Sequence, residues 1–163
     1  MFDPALLVLA ETFLQRCRVS GVKVATAESC SGGLLAGLLT ETPGASDVFE
    51  RGFITYSNQS KIDMLHVAPL HLEKHGAVSE LVAQGMAQGL IRNTPCDLGI
   101  AITGIAGPDG GTPEKPVGLV YIAAARRGQG AFAERRDFNG TRTAIRLAAI
   151  QAALELAMQE FLA

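Results

Sequence analysis

The sequence contains no tryptophan and little cysteine. Its three cysteines, Cys17, Cys30 and Cys96, are odd in number and widely spaced among 163 residues. That pattern excludes a disulfide framework and a CxxC metal-binding pair. Dispersed, unpaired cysteines are typical of a reducing compartment, so we expect a cytoplasmic protein.

Charge of either sign is also scarce. Asp, Glu, Lys and Arg together make up 18% of the chain, and the formal net charge is −2. Such a chain has no basic surface to attract DNA, RNA or an anionic membrane, so we expect no nucleic acid and no membrane among its partners. An anionic ligand would need a local basic pocket.

Long hydrophobic runs are missing as well. No segment has about 18 consecutive apolar residues, the length of a membrane-spanning helix. The first residues lack the basic segment of a secretory signal, and Glu11 and Gln15 interrupt the apolar stretch that follows. The apolar fraction of 48% is nevertheless typical of a globular protein, and the length predicts one domain spanning residues 1–163.

Helical and extended patterns alternate along the chain. Helices are predicted at residues 4–18, 34–41, 69–75, 80–92 and 142–162, with a short one after Ser57, and strands at 23–27, 52–56, 97–103, 117–125 and 131–138. The third strand is apolar with little alternation, which favours a central position in the sheet. The pattern predicts the α/β class: a three-layer α/β/α domain with a mixed, mostly parallel sheet of about five to six strands, one of them antiparallel.

The segment AESCSGG at residues 27–33 lies between the first strand and the second helix. A strand–turn–helix presents unpaired N–H groups and a hydroxyl or thiol at a helix N-terminus, where negative charge is favoured. Catalysis by one of these side chains is one interpretation. In the structural alternative, Ser29 or Ser31 is only the N-cap of the helix, and the two glycines form the turn into it.

Two further unusual segments follow strand ends. One is residues 56–61, and the other is the loop 104–116, which has four glycines and three prolines among thirteen residues. Loops of this length without secondary structure are usually functional or disordered. Because open α/β sheets bind ligands beyond the carboxyl ends of their strands, we expect the three segments to meet at one edge of the sheet.

Tyr56 and Lys61 are predicted neighbours. If Ser57 is the N-cap of the short helix, the other two residues occupy the positions that meet in a hydrophobic staple. A cation at a helix N-terminus is disfavoured, which lowers the pKa of Lys61 and suits it to act as a general base. In the alternative, Lys61 is a solvated surface residue and Tyr56 only a staple.

Arg142 and Arg146 lie four residues apart and share a face of the last helix. Arg142 falls in the first turn, where free N–H groups also favour an anion such as a phosphate. The alternative is an ion pair with a carboxylate of Glu28, Glu134 or Asp137.

His71 and His75 are also four residues apart, but no third ligand is evident and Lys74 lies between them. We therefore predict no metal site, and no other cofactor is indicated.

Six motifs occur in order along the chain: AESCSGG at 27–33, GFITYSN at 52–58, Lys61, GAVS at 76–79, TGIAGPDGG at 103–111 and KPVG at 115–118. Together they resemble the CinA C-terminal domain family, which includes the nicotinamide-nucleotide amidase PncC. The resemblance implies a three-layer fold with a mixed sheet, a homodimer and a small-molecule nucleotide substrate. The implied reaction is hydrolysis of nicotinamide mononucleotide to nicotinic acid mononucleotide and ammonia, in pyridine-nucleotide recycling. Longer members carry a molybdopterin-binding-like N-terminal domain, whose activity is not expected here.

The resemblance also implies roles for individual residues. Ser29 matches the family's serine nucleophile, in preference to Ser31, while Lys61 and Tyr56 match its general-base pair. Arg142 matches the arginine that opens the last helix and would bind the 5′-phosphate. The residues predicted to bind substrate are Glu28, Cys30, Ser31, Gly32, Gly33, Thr103, Gly104, Ile105, Ala106, Gly107 and Arg142.

Parts of this mechanism stay open at the level of sequence. N–H groups of residues 31–33 or of the loop 104–107 would hold the oxyanion, Glu28 would orient the ribose or the lysine, and Tyr56 or Phe53 would stack on the pyridinium. Rival hypotheses are a Cys30 nucleophile, which needs a histidine base, a non-catalytic nucleotide-binding module, and an amidase for another pyridine-like amide.

Overall fold

The computed structural model describes residues 2–162, which form one five-stranded sheet with helices on both faces. The strands are β1 (Val24–Glu28), β2 (Phe49–Ile54), β3 (Leu98–Gly104), β4 (Leu119–Arg126) and β5 (Gly130–Asp137). The helices are α1 (Pro4–Val19), α2 (Leu34–Glu41), α3 (Asn58–Leu65), α4 (Pro69–His75), α5 (Glu80–Asn93) and α6 (Arg142–Phe161), with a 3₁₀ turn at Ala45–Asp47.

The strand order is β2-β1-β3-β4-β5. β1 pairs in parallel with β2 and β3, whereas β4 is antiparallel to both β3 and β5. Four strands therefore run one way and β4 runs the other, which confirms the predicted α/β class and its mixed, mostly parallel sheet. β3 is the central strand, as its uniformly apolar sequence predicts, because both of its faces are covered by helices.

The residues of β3 alternate between two buried clusters. Ile100 and Ile102 pack on one face with residues of α1, α2 and α6. Ala101 packs on the other face with Met86 and Leu90 of α5. One cluster lies between the sheet and the layer of α1, α2 and α6, and the other lies between the sheet and the layer that contains α5. Among the helices of residues 2–162, none has the length and hydropathy needed to cross a membrane.

Four of the six α-helices within residues 2–162 begin with a capping side chain. Asp3, Ser57, Ser79 and Thr141 each accept a backbone N–H with their side chain at the start of α1, α3, α5 and α6. The N-cap of α4 is Ala68, followed by Pro69, and the N-cap of α2 is Gly33 at φ 95°; neither helix has a side-chain capping bond at this position. The alternative in which Ser29 or Ser31 caps α2 is therefore wrong.

The second strand begins and ends earlier than the pattern predicts. It starts at Phe49, which pairs with Val24 of β1, and ends at Ile54. The backbone N–H of Thr55 still donates to the Glu28 carbonyl at 2.9 Å. Tyr56 therefore lies in the connection to α3 rather than in the sheet.

Candidate active site

A pocket of about 290 Å³ lies at the edge of the sheet where β1, β2 and β3 end. The residues that line it are Ser29, Cys30, Tyr56, Lys61, Ala77, Val78, Thr103, Gly104, Ile105, Ala106, Gly107, Asp109, Gly110 and Arg142. The predicted meeting of three strand ends at one edge is thus confirmed. Parallel pairing of β1, β2 and β3 is the reason, because it brings their carboxyl ends together.

Ser29 and Lys61 lie side by side in this pocket. Ser29 is the first residue after β1, and its N–H donates to the carbonyl of Ile102 on β3 at 2.9 Å, which holds it against the sheet. Its Oγ lies 3.1 Å from Nζ of Lys61. An uncharged amine at this distance is able to accept the hydroxyl proton, so the geometry is that of a nucleophile beside a base.

Lys61 is fully buried, with 0% of its surface exposed. Its Nζ also donates to the carbonyl of Thr55 at 2.7 Å and contacts that of Tyr56 at 3.4 Å. Burial lowers the pKa of Lys61 from its ordinary 10.5 to about 8, because the charged form loses its hydration. The predicted direction of the pKa shift is confirmed, but its main cause is burial rather than the helix dipole, and the surface-lysine alternative is wrong.

The ring of Tyr56 points to a different partner from the one expected. Its phenol oxygen accepts a hydrogen bond from Arg142 at 3.2 Å, and the residue is 62% exposed. Only its backbone carbonyl contacts Lys61. The predicted contact between the phenol and the ammonium is therefore corrected: the turn at 55–56 directs carbonyl oxygens at Lys61 and the ring towards the start of α6.

Glu28 does not contact the pocket, although it is predicted to bind substrate. Its carboxylate is buried and accepts three backbone N–H groups at the start of α2, from Gly33 at 3.0 Å, Leu35 at 3.0 Å and Ala36 at 2.8 Å. The negative charge that a helix N-terminus favours is thus supplied by the chain itself. This corrects the expectation for Glu28, because both of its oxygens are already engaged.

The predicted substrate contacts of Ser31, Gly32 and Gly33 are corrected in the same way, since none of the three lines the pocket. Ser31 is fully buried, the N–H of Gly32 donates to the Ser29 carbonyl, and that of Gly33 donates to Glu28. Within residues 2–162, the N–H group of Cys30, which lines the pocket, has no backbone hydrogen-bond acceptor. This group remains free for a ligand oxygen.

The two arginines at the start of α6 bind backbone carbonyls. Arg142 donates to the carbonyl of Gly107 at 2.7 Å, in the wall of the pocket. Arg146 donates to the carbonyls of Cys30 at 3.1 Å and Ser31 at 2.9 Å. The alternative of an ion pair with a carboxylate is wrong, because Glu134 pairs with Arg136, Asp137 pairs with Arg135, and Glu28 binds the start of α2.

The sequence matches a known protein family over most of its length. The family model described as CinA C-terminal domain matches residues 7–161. The chain belongs to the CinA C-terminal domain family. It is 46% identical over 163 residues to the nicotinamide-nucleotide amidohydrolase PncC of Escherichia coli K12, a match that covers 99% of this chain and 98% of that protein.

Other members of the family are similar over different shares of their length. A putative competence-damage inducible protein of Caldicellulosiruptor saccharolyticus is 48% identical over 148 residues, which are 91% of this chain and 36% of that protein. The crystal structure of competence/damage inducible protein CihA from Agrobacterium tumefaciens has a TM-score of 0.94 and 43% identity, and the match covers 98% of this chain and 97% of that one.

Cys30 also lines the pocket, and its thiol is the nucleophile of the rival hypothesis. Burial raises the pKa of its thiol to about 11, which disfavours the reactive thiolate. None of the described residues that line the pocket is a histidine. The Cys30 hypothesis therefore lacks both the ionised nucleophile and the base that it needs.

Histidines lie elsewhere in this member of the CinA C-terminal domain family. His71 and His75 are on α4, with ring centroids 6.4 Å apart, and neither lines the pocket. Over the described residues 2–162, no group of three or more His, Cys, Asp or Glu side chains is arranged to hold a metal ion.

Four residues that line the pocket were not predicted to bind substrate: Ala77, Val78, Asp109 and Gly110. Asp109 and Gly110 belong to the glycine- and proline-rich loop, so the composition of that loop could have identified them. Ala77 and Val78 lie in the family motif at 76–79, and the Ala77 carbonyl accepts a hydrogen bond from Thr103 Oγ1 at 2.9 Å. Because Ala77 and Val78 have apolar side chains, their own chemistry does not predict that they line a functional site.

Proposed function

We propose that this protein is a nicotinamide-nucleotide amidase, which hydrolyses nicotinamide mononucleotide to nicotinic acid mononucleotide and ammonia. The observation that carries the proposal is the 3.1 Å contact between Ser29 Oγ and the buried Nζ of Lys61. Similarity over almost the full length of the Escherichia coli amidohydrolase supports the choice of substrate. The activity is proposed for the single domain of residues 1–163 and needs no cofactor.

The first half of the reaction forms an acyl-enzyme. With its pKa near 8, about one Lys61 in ten is uncharged near pH 7 and able to accept the proton of Ser29. The serine oxygen then bonds to the carboxamide carbon, and the carbonyl oxygen becomes an anion. When the C–N bond breaks, the proton held by Lys61 passes to the leaving nitrogen, which departs as ammonia.

The second half reverses the roles with water. A water molecule gives a proton to Lys61 and bonds to the acyl carbon. The bond to Ser29 breaks, its oxygen regains the proton, and the carboxylate product leaves. In both halves we assign the anionic oxygen to the N–H group of Cys30, with the loop 104–107 as the alternative source of donors.

The nucleotide part of the substrate is assigned to the start of α6. Arg142 provides positive charge beside free N–H groups of the first helical turn, a combination suited to the 5′-phosphate. Tyr56 lines the pocket beside Arg142 and offers an exposed ring for the pyridinium cation. Phe53 packs instead against the buried cluster on the α5 side of the sheet, so it is not assigned to stacking.

The test is release of ammonia from nicotinamide mononucleotide by the purified protein and by Ser29→Ala, without added metal. We expect turnover by the wild type and none by the variant, which should still bind the nucleotide in calorimetry. Ser31→Ala is the matched control and should retain turnover. Binding without turnover in the wild type would favour a nucleotide-binding module or another pyridine-like amide, and full activity of Ser29→Ala would overturn the serine mechanism.

The proposal extends to assembly and location. A homodimer, as the family resemblance implies, is tested by light scattering of the purified protein. A cytoplasmic location agrees with three cysteines that are all free and buried.

A further inference from the structure

The two arginines of α6 hold different sides of the pocket. Arg142 lines the pocket and binds the carbonyl of Gly107 in the long loop. Arg146, one turn later, does not line the pocket and binds the turn that follows Ser29. The proposed reaction assigns no role to Arg146.

We propose that Arg146 is a positioning residue for amide hydrolysis. It holds the turn after Ser29 so that the N–H group of Cys30 stays available to the carbonyl oxygen of the substrate. This inference rests on the proposed function and adds to it the origin of the oxyanion site.

Peptide geometry links the guanidinium to this donor. A trans peptide is planar, and its C=O and N–H point in opposite directions. Arg146 binds the carbonyl of Ser31, so the N–H of Gly32 in the same peptide faces away from the guanidinium. That N–H donates to the carbonyl of Ser29 at 3.1 Å, which in turn orients the N–H of Cys30 in the Ser29–Cys30 peptide.

The shape of the arginine matches this task. Its Nε and one terminal nitrogen bind the adjacent carbonyls of Cys30 and Ser31 at 3.1 and 2.9 Å, as a planar fork. The turn leaves room for the fork at Gly32, whose φ is +60° and where a Cβ atom would lie 3.1 Å from the guanidinium. A lysine at position 146 would keep the charge but reach only one carbonyl at a time.

The position of Arg146 outside the pocket predicts which kinetic constant it controls. Ser29 and Cys30 line the pocket and Arg146 does not, so substrate in the ground state has no contact with the guanidinium. The hydrogen bond from the Cys30 N–H, which Arg146 orients, strengthens when the carbonyl oxygen becomes an anion. Loss of the fork should therefore lower kcat and leave KM nearly unchanged.

The first experiment measures kcat and KM for nicotinamide mononucleotide in Arg146→Lys and Arg146→Met. We expect kcat to fall by about 10- to 100-fold in both, with KM within about threefold of wild type. Arg126→Met is the control, because Arg126 binds the carbonyl of Phe161 at the opposite end of α6. It removes an equivalent arginine–carbonyl bond away from the pocket, and kcat should not change.

The second experiment measures binding of the aldehyde analogue of nicotinamide mononucleotide. Ser29 Oγ adds to the aldehyde carbon, its proton passes to Lys61, and the former aldehyde oxygen takes the place of the oxyanion. The dissociation constant of this adduct should rise in Arg146→Lys by the same factor as kcat falls. A merely structural effect would not couple the two quantities.

The outcomes separate this inference from the proposed function. No hydrolysis by the wild type would overturn the proposed function and this assignment with it. Hydrolysis by the wild type with unchanged kcat in Arg146→Lys would overturn the positioning role alone, as would a raised KM at unchanged kcat. If Arg146→Met does not fold, the thermal midpoint of Arg146→Lys shows that its kinetics refer to a folded protein.

Discussion

The Nζ atom of Lys61 lies 3.1 Å from Oγ of Ser29, although the two residues are 32 positions apart in the chain. Ser29 is placed by the end of β1, and Lys61 by the first turns of α3. The connection from β2 contributes the carbonyls of Thr55 and Tyr56, which orient the amine. Burial of Lys61 lowers its pKa, as its proposed role as the base for Ser29 requires.

The first prediction concerns the pH profile of turnover. Lys61 accepts a proton only when uncharged, and its pKa is about 8. We expect kcat/KM for nicotinamide mononucleotide to rise about tenfold per pH unit below that value and to level off above it. Initial rates at constant ionic strength measure the profile. A profile without an inflection near the pKa of Lys61 would contradict its role as the base.

The second prediction concerns stability, and its sign follows from the lowered pKa of Lys61. Between pH values of about 8 and 10.5, Lys61 is protonated in the unfolded chain but not in the folded chain. The free-energy cost of burying the ammonium is therefore complete below this pH window and disappears as the pH rises through it. Lys61→Met removes this cost. We expect its free energy of unfolding at neutral pH to exceed that of the wild type by about 1–3 kcal/mol.

Urea unfolding on both sides of this window measures the difference, which should shrink at alkaline pH. Lys74→Met is the control, because Lys74 is exposed on α4 and its removal should produce no pH-dependent difference. A Lys61→Met protein that is less stable than wild type at neutral pH would show that the hydrogen bonds of Nζ outweigh its desolvation.

The third prediction concerns Glu28, which holds the start of α2 through three N–H groups. In Glu28→Gln, one oxygen becomes an NH₂ group that cannot accept, and the negative charge at the helix N-terminus is lost. We expect the free energy of unfolding to fall by about 2 kcal/mol. KM should remain at the wild-type value, because Glu28 does not line the pocket.

Glu41→Gln provides the matched change at the other end of α2, where a negative charge opposes the helix dipole. It should leave stability unchanged or raise it slightly. A large increase in KM for Glu28→Gln at unchanged stability would restore Glu28 as a substrate contact.

The fourth prediction separates the phosphate from the rest of the substrate. Arg142→Gln removes the cation at the first turn of α6, so KM for nicotinamide mononucleotide should rise by about tenfold or more. The comparison substrate is nicotinamide riboside, which has no phosphate and should be affected much less. Equal effects on both substrates would place the phosphate elsewhere.

The fifth prediction tests the two contacts of Tyr56. Tyr56→Phe keeps the carbonyl beside Lys61 and the ring, but it removes the phenol oxygen that binds Arg142. We expect kcat within about threefold of wild type, an unchanged pH profile and a modest rise in KM. A large loss of kcat with a displaced pH profile would instead make the phenol part of the proton-transfer pair.

Local patterns in the sequence predict most of the fold. The central place of β3 follows from its uninterrupted apolar residues, and the starts of α1, α3, α5 and α6 follow from their capping side chains. The loop 104–116 is identifiable because its glycines and prolines exclude regular structure. These features depend on interactions within a few residues of the chain or on a simple periodicity of burial.

The partners of the polar side chains were decided by tertiary structure. Arg142 reaches Tyr56 across 86 positions, and Arg146 reaches Ser31 across 115. The sequence left Glu28 open to the ribose, the lysine or an ion pair with Arg142, and packing of α2 beside β1 gave it the start of that helix instead. The sequence by itself determined which groups have the chemistry for a site and which strand ends they follow. Packing of α2 and α6 against the sheet decided the partner of each, because a buried polar group must bond to whatever the long-range fold places within reach.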